Sequence, residues 1–212
     1  MDELIATLRE ARWGEVVLFE YSSYQPVHIM FKKAVEVARM ENTSLLIVDV
    51  LDTLVPIKKA LEITEGESNI FDGLDVIKGG GKVPIGNVVD RIELSADSAV
   101  YFSRLISRLS RYYSSHEKTV TFLWNIEGIV NLHSGDPKIL PQLEGIMRSF
   151  VGDERRVAVY FINRDVAPDE LLAIIEEIAT TVLTVDYEDG TFVLSLKKAP
   201  ENRGKKVVRV EV

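Results

Sequence analysis

Residues 15–50 read EVVLFEYSSYQPVHIMFKKAVEVARMENTSLLIVDV. Glu15–Glu20 is a short apolar run following Gly14, which suits a strand buried on both faces. A polar turn, Tyr21-Ser22-Ser23-Tyr24-Gln25, leads to Pro26. Proline is well placed in the first turn of a helix, where its missing N–H would have had no intrahelical partner. Val27, Phe31, Ala34, Val35 and Ala38 then share one helical face as far as about Glu41. Ser44–Val50 is a second apolar run of strand length. Strand, helix and strand in so short a span predict a βαβ unit and therefore a parallel sheet.

The pattern continues downstream. Thr119–Asn125 (TVTFLWN) and Arg156–Ile162 (RVAVYFI) are further buried strands, and Ser95–Ser114, Lys138–Phe150 and Pro168–Ala179 carry helical periodicity. In the middle, Asp52–Glu62 reads as a helix interrupted near its start by Pro56, and Leu74–Lys78 as a strand. Gly79-Gly80-Gly81-Lys82 reads as a flexible surface loop. Thr181–Glu188, Thr191–Lys198 and Lys205–Val212 form an antiparallel tail whose first turn, Asp189-Gly190, tolerates positive φ at both positions. The expected architecture is a three-layer α/β domain spanning residues 1–212, a mostly parallel sheet flanked by helices. It divides into an N-terminal helix (1–12), an α/β core (13–180) and antiparallel C-terminal edge strands (181–212).

Twenty-five Lys and Arg stand against 33 Asp and Glu, a net charge of −8 over 212 residues. That balance argues against sequence-independent nucleic-acid binding, which depends on cations neutralising phosphates. The chain has no cysteine, which excludes disulfides and thiol catalysis and points to a reducing cytoplasm. No apolar run approaches the roughly 18 residues of a membrane span. The start, MDELIATLRE, is acidic and amphipathic, unlike a signal peptide. Only Gln25 and Gln142 represent glutamine, a composition that hints at a heat-adapted source.

In parallel α/β sheets ligands collect at the carboxyl ends of strands, with phosphates on the N-terminus of the following helix. A phosphate-binding loop of the G-x-x-x-x-G-K-[ST] type needs glycines for its backbone cradle, a lysine for the β/γ-phosphates and a hydroxyl for Mg²⁺. Glu20–His28 contains no glycine and no lysine, and Pro26 removes an N–H from the cradle. Both features argue against ATP hydrolysis by that mechanism.

With the strands FLWN (122–125) and VAVYFINRD (157–165), and with Ile178-Ala179-Thr180 running into TVLTVDYEDGTFVLSLKKAPENRGKK (181–206), the chain resembles a RecA/KaiC-like ATPase core. As a whole it resembles a hyperthermophilic-archaeal family of unknown function, placed in the P-loop superfamily without the P-loop. The resemblance puts Asn125 where the superfamily has its Mg²⁺-ordering Asp, and Asn163 and Arg164 at a polar sensor position. Asp49 and Asp52 flank the catalytic-Glu position, which Leu51 occupies. Lys197, Lys198 and Arg203 match basic residues that reach a neighbouring subunit's phosphates. It implies a non-hydrolysing binding or assembly module that forms a homo-oligomer or pairs with a related active ATPase.

A rival reading reuses the crevice for another small molecule or nucleotide, as an enzyme or a binder. Tyr21, Ser22, Ser23, Tyr24 and His28 supply stacking and polar groups, and Asp49, Asp52, Asn125 and Asn163 sit at neighbouring strand ends. The plainer reading is a βα loop packed by its own side chains, with Asp49 and Asp52 serving a turn and a helix cap. His28, His116 and His133 lack metal-ligand spacing, so no metal and no cofactor is expected. Lys197, Lys198, Arg203, Lys205, Lys206 and Arg209 crowd into 13 residues against one acid, Glu201. They offer a basic patch for nucleic acid or an acidic neighbour, or a guarded sheet edge.

Overall fold

The computed structural model describes residues 11–40, 43–66, 69–200 and 207–211. Residues 1–10 of the expected N-terminal helix and the candidate cations Arg203, Lys205 and Lys206 lie outside them. The strands are β1 (Val16–Tyr21), β2 (Ser44–Val50), β3 (Asp75–Gly79), β4 (Asn87–Ile92), β5 (Thr119–Trp124), β6 (Arg156–Asn163), β7 (Thr181–Glu188), β8 (Thr191–Lys198) and β9 (Val207–Glu211). The helices are α1 (Val27–Met40), α2 (Leu54–Glu65), α3 (Ser98–Ser115), α4 (Ile126–Leu132), α5 (Ile139–Phe150) and α6 (Asp169–Ile178). These strands make one sheet in the order β4-β3-β2-β5-β6-β1-β7-β8-β9. It is parallel from β4 to β7 and antiparallel through β8 and β9. Among the described residues no helix is long and apolar enough to cross a membrane.

Alternation along the strands divides the core into two layers. Val17, Phe19 and Tyr21 of β1 join Ile47, Val76, Trp124 and Phe161 against α1 and α2. Val16 and Leu18 turn the other way, with Leu46, Val48 and Ile77, against α3, α5 and α6. Every residue of β1 is buried, the signature of a parallel strand covered on both faces.

An aromatic row crosses the centre of the first layer. Trp124 stacks on Phe161 with centroids 3.9 Å apart, Phe161 stacks on Phe19 at 5.2 Å, and Phe122 meets Phe161 edge-on at 5.3 Å. From α1, Phe31 packs edge-on to Trp124 at 5.8 Å. The rings tie β1, β6 and β5 together directly beneath the carboxyl ends where a ligand would sit.

The middle of the chain differs from its sequence reading in three places. The helix expected at 52–62 runs from Leu54 to Glu65, with Pro56 inside its first turn, where it removes no hydrogen bond. NVVDRI (87–92) is strand β4, whose mostly exposed edge position hides the apolar alternation that marks inner strands. The first two glycines of the run, at the end of β3, are packed rather than slack. Gly79 and Gly80 are buried, the Gly80 amide donates to the Ile92 carbonyl at 2.9 Å, and a Cβ on Gly80 would lie 2.7 Å from Leu94.

The aromatic row carries a direct consequence. Phe161→Ala, which opens a cavity against three rings in a fully buried position, lowers unfolding free energy by about 3–5 kcal/mol. Denaturant titration checks this; a loss under about 1 kcal/mol would mean that the row is not a structural centre.

Candidate functional site

The segment between β1 and α1 is closed by its own chain. The Ser23 amide donates to Asp165 Oδ2 at 2.8 Å, the Gln25 amide to the Ser22 carbonyl at 3.0 Å, and the Val27 amide to the Gln25 carbonyl at 2.8 Å. Pro26 has no N–H to offer. Asp165 thus holds the first of these amides with a carboxylate, and backbone carbonyls hold the other two. Arg164 locks the arrangement: its Nε donates to Ser22 Oγ at 2.8 Å, its guanidinium to Asp186 at 2.6 Å, and its amide to the Tyr21 carbonyl at 2.9 Å.

Beside this turn lies a cleft of about 320 Å³ between α1 and α2. Tyr21, Ser23, His28 and Asn163 line it with Gln25, Thr53 and apolar side chains of both helices. Asn163 donates to Ser23 Oγ at 2.9 Å. Gln25 is buried and donates to the Val185 carbonyl at 2.6 Å. Burial pushes the His28 imidazole below its ordinary value, against the pull of Glu65. Ser22 is buried beneath the turn, while Tyr24 swings outward, 71% exposed. Of the residues proposed for a crevice, Tyr21, Ser23, His28 and Asn163 meet at this cleft.

The remaining candidates go elsewhere. Asn125 adopts the left-handed conformation (φ 66°), which asparagine tolerates, and its amide donates to the Val50 carbonyl at 3.4 Å. Asp49 and Asp52 both bind the ammonium of Lys78, which is 1% exposed. Asp49 also accepts the Leu54 amide at 3.1 Å, capping α2. Asp52 accepts the amides of Lys82 at 2.8 Å and Val83 at 3.1 Å. Burial pushes the Asp49 carboxyl up despite Lys78. At Asp52 burial also acts upward, but Lys78 and the two amides outweigh it and hold the carboxyl low. In the sequence Lys78 reads only as the end of a strand. Its one visible signal is a lysine closing an apolar run.

Two cations of the tail, Lys197 and Lys198, are occupied. Lys197 donates to Glu20 at 2.7 Å and Glu176 at 3.3 Å. Lys198 donates to the carbonyls of Glu176 and Glu177 at 2.9 and 2.8 Å, at the C-terminal end of α6. Arg209 falls in β9. The three histidines lie in three places: His116 stacks on Tyr112 and His133 bridges the Ile129 and Ser95 carbonyls, both far in sequence from His28.

One carboxyl went unnoticed in the sequence. Glu127, in the first turn of α4, is 1% exposed. Its Oε1 accepts the Asn163 amide at 3.0 Å, and Oε2 has no hydrogen-bond partner among the described residues. Burial raises its pKa from 4.5 to about 7, and the Asn163 amide opposes that rise. An acid at a helix start normally faces solvent, so NIEG gives no hint of its burial.

The family model described as "Pyrococcus protein of unknown function, DUF257" matches residues 6–207. Three solved structures are similar. The structural-study target PH0250 from Pyrococcus horikoshii OT3 has a TM-score of 0.80 and 23% identity, covering 96% of both chains. The uncharacterized P. horikoshii protein PH0321, crystallised with an unknown peptide, has a TM-score of 0.67 and 14% identity, covering 99% of this chain and 97% of that one. The flagellar accessory protein FlaH from Methanocaldococcus jannaschii has a TM-score of 0.59 and 12% identity, covering 95% and 86%. These likenesses identify the fold as RecA/KaiC-like, as the sequence resemblance implies. A search of the curated proteins gave no match.

Glu127 gives the site a pH signature. Its folded pKa lies above its unfolded value, so the folded chain keeps a proton that the unfolded chain has released. Stability from this group is therefore full below pH 4.5 and is lost as pH rises through about 7. The loss is on the order of 3 kcal/mol. Denaturation of wild type and Glu127→Gln at about pH 5 and about pH 8 checks this: the wild type loses stability relative to the variant at the higher pH. An identical pH response in both proteins refutes it.

Proposed function

The chain belongs to the Pyrococcus DUF257 family, and we propose that it is a non-hydrolysing RecA/KaiC-like protein that serves as a binding or assembly module. One observation carries the reading: the amides of Ser23, Gln25 and Val27 are taken by the chain's own oxygens, with Asp165 in the anion's place. A nucleotide phosphate entering here would displace a carboxylate, against like charge and without glycines to let the backbone close on it. Asn125, at the metal-ordering position, brings no charge for Mg²⁺. Asp49 and Asp52, beside the position that the resemblance makes catalytic, are both engaged by Lys78.

A module of this kind works through contacts with other chains, either further copies of itself or a related active ATPase. Two neighbours of the same fold are consistent with such a role: PH0321 was crystallised with an unknown peptide, and FlaH is an accessory protein of the flagellum. The absence of cysteine suits a cytoplasmic setting.

Thermal unfolding with ATP, ADP, GTP or S-adenosylmethionine, each with Mg²⁺, tests the closed cradle beside a phosphate-release assay. A ligand present at about 100 times its Kd would add roughly 2.7 kcal/mol of stability. The expected result is no shift and no phosphate release, with a species larger than the monomer in sedimentation or a complex with an active relative. A clear shift accompanied by turnover overturns the reading.

A further inference from the structure

A second cleft, of about 710 Å³, opens at the carboxyl ends of β2, β3 and β4, outside the turn that precedes α1. Its volume lies within the range of small-molecule pockets. Lys78, Lys82, Arg91 and Glu93 supply its charges, and Leu51 and Leu94 are among its apolar side chains.

A β-bulge decides which charges face it. On β3 and β4, Val76 pairs with Val88, but the next pair is Ile77 with Asp90, so Val89 is the extra residue. Without the bulge, Asp90 would stand beside Lys78. With it, Arg91 pairs with Lys78, and Lys78 with Asp49, in one lateral row across three strands. Asp90 is turned to the opposite face, where it meets Arg108 at 3.1 Å and Arg111 at 3.8 Å on α3. Bulges commonly re-aim side chains beside functional sites. This one replaces an acid with a guanidinium at the cleft.

The turn after β2 builds the rear wall. Leu51 and Asp52 are consecutive non-glycine residues with φ of 56° and 60°. A leucine in this region is an outlier, and such strain gathers at functional sites. It swings Asp52 back onto Lys78 and the Lys82 and Val83 amides. Gly81 is required there, since a Cβ would lie 2.4 Å from that carboxylate.

The charges then separate cleanly. Lys78 is held by two carboxylates, Asp49 and Asp52, and has no charge left for a ligand. Lys82 and Arg91 are exposed and have no carboxylate partner among the described residues, with Glu93 the acid on the lining. The cleft therefore offers two free cations on a protein of net charge −8.

We propose that this cleft binds a small organic anion, a carboxylate or phosphate carried on an apolar body. Arg91 and Lys82 hold the anionic group, and Leu51 and Leu94 pack against the body. The site does not use the turn at 21–27 and stands or falls independently of the closed cradle.

Isothermal titration with phenyl phosphate, benzoate and inorganic phosphate at low salt tests the site. Saturable one-site binding is expected for phenyl phosphate or benzoate, tighter than for inorganic phosphate, and whichever is preferred identifies the anionic group. Arg91→Gln and Lys82→Gln each weaken binding roughly tenfold, the scale of one charge-assisted hydrogen bond. Both residues are exposed, so ligand-free thermal midpoints stay near wild type. Arg104→Gln, an exposed cation on α3, leaves binding unchanged. No saturable binding with any of the three probes overturns the proposal, as does equal weakening by Arg104→Gln.

Discussion

Lys78 sets the constraint around which this half of the molecule is arranged. An ammonium inside a protein carries a desolvation penalty of several kcal/mol unless it is well paired, and removing a partner of a buried pair typically costs about 3–5 kcal/mol. Asp49, its lateral neighbour on β2, meets one part of that demand through the parallel register. Asp52 meets the other only because two left-handed residues turn the chain back after β2. The same two carboxylates also serve the backbone: Asp49 caps α2, and Asp52 ties down the glycine turn after β3. One charge thus links the β2–β3 register, the start of α2 and the path into β4.

The same solution recurs along the carboxyl edge of the sheet. Parallel strands and the helices that follow them leave amides and charges there that a ligand would ordinarily satisfy. Here the chain supplies the partners itself. Asp165 takes the Ser23 amide, Glu127 takes the Asn163 amide, Lys197 answers buried Glu20, and Arg164 bridges Ser22 to Asp186. The aromatic row of Phe19, Phe161 and Trp124 fills the space directly below with rings.

The parts of this architecture that depend on local chemistry could be read in the sequence. EVVLFE, SLLIVDV and RVAVYFI are continuous apolar runs because inner parallel strands are buried on both faces, and Pro26 marks the start of a helix through its missing N–H. Asp189-Gly190 announced a hairpin, and both residues do take positive φ, 48° and 82°. What could not be read depends on register and burial between distant segments. Lys78 and Glu127 are ordinary polar residues until neighbouring strands enclose them. The bulge at Val89 leaves no mark in NVVDRI, because a one-residue slip changes which side chain faces which, not which residues are present. The site reading suffered for the same reason: strand-end positions of Asp49 and Asn163 were legible, but Asp49 faces Lys78 while Asn163 faces Ser23.

Internal satisfaction also bears on how this fold relates to ligands. A protein whose cradle amides await a phosphate has a folded state that gains stability when the ligand binds, by an amount set by concentration over Kd. When the chain's own oxygens, one carboxylate and two carbonyls, occupy the amides of such a turn, that stabilisation is present in the free chain, and an incoming anion must first break it. On the proposed reading, a phosphate at the turn before α1 is disfavoured for two reasons: glycines and a lysine to hold it are missing, and the amides present are already engaged. The cleft by β4 stands in the opposite condition. Its rear charges are paired within the chain, while Arg91 and Lys82 at its lining remain in solvent, so an anion there gains contacts without displacing any. A turn closed by its own chain and a cleft whose two cations have no carboxylate partner among the described residues thus lie along one edge of the same sheet, and a small anion is better received at the second.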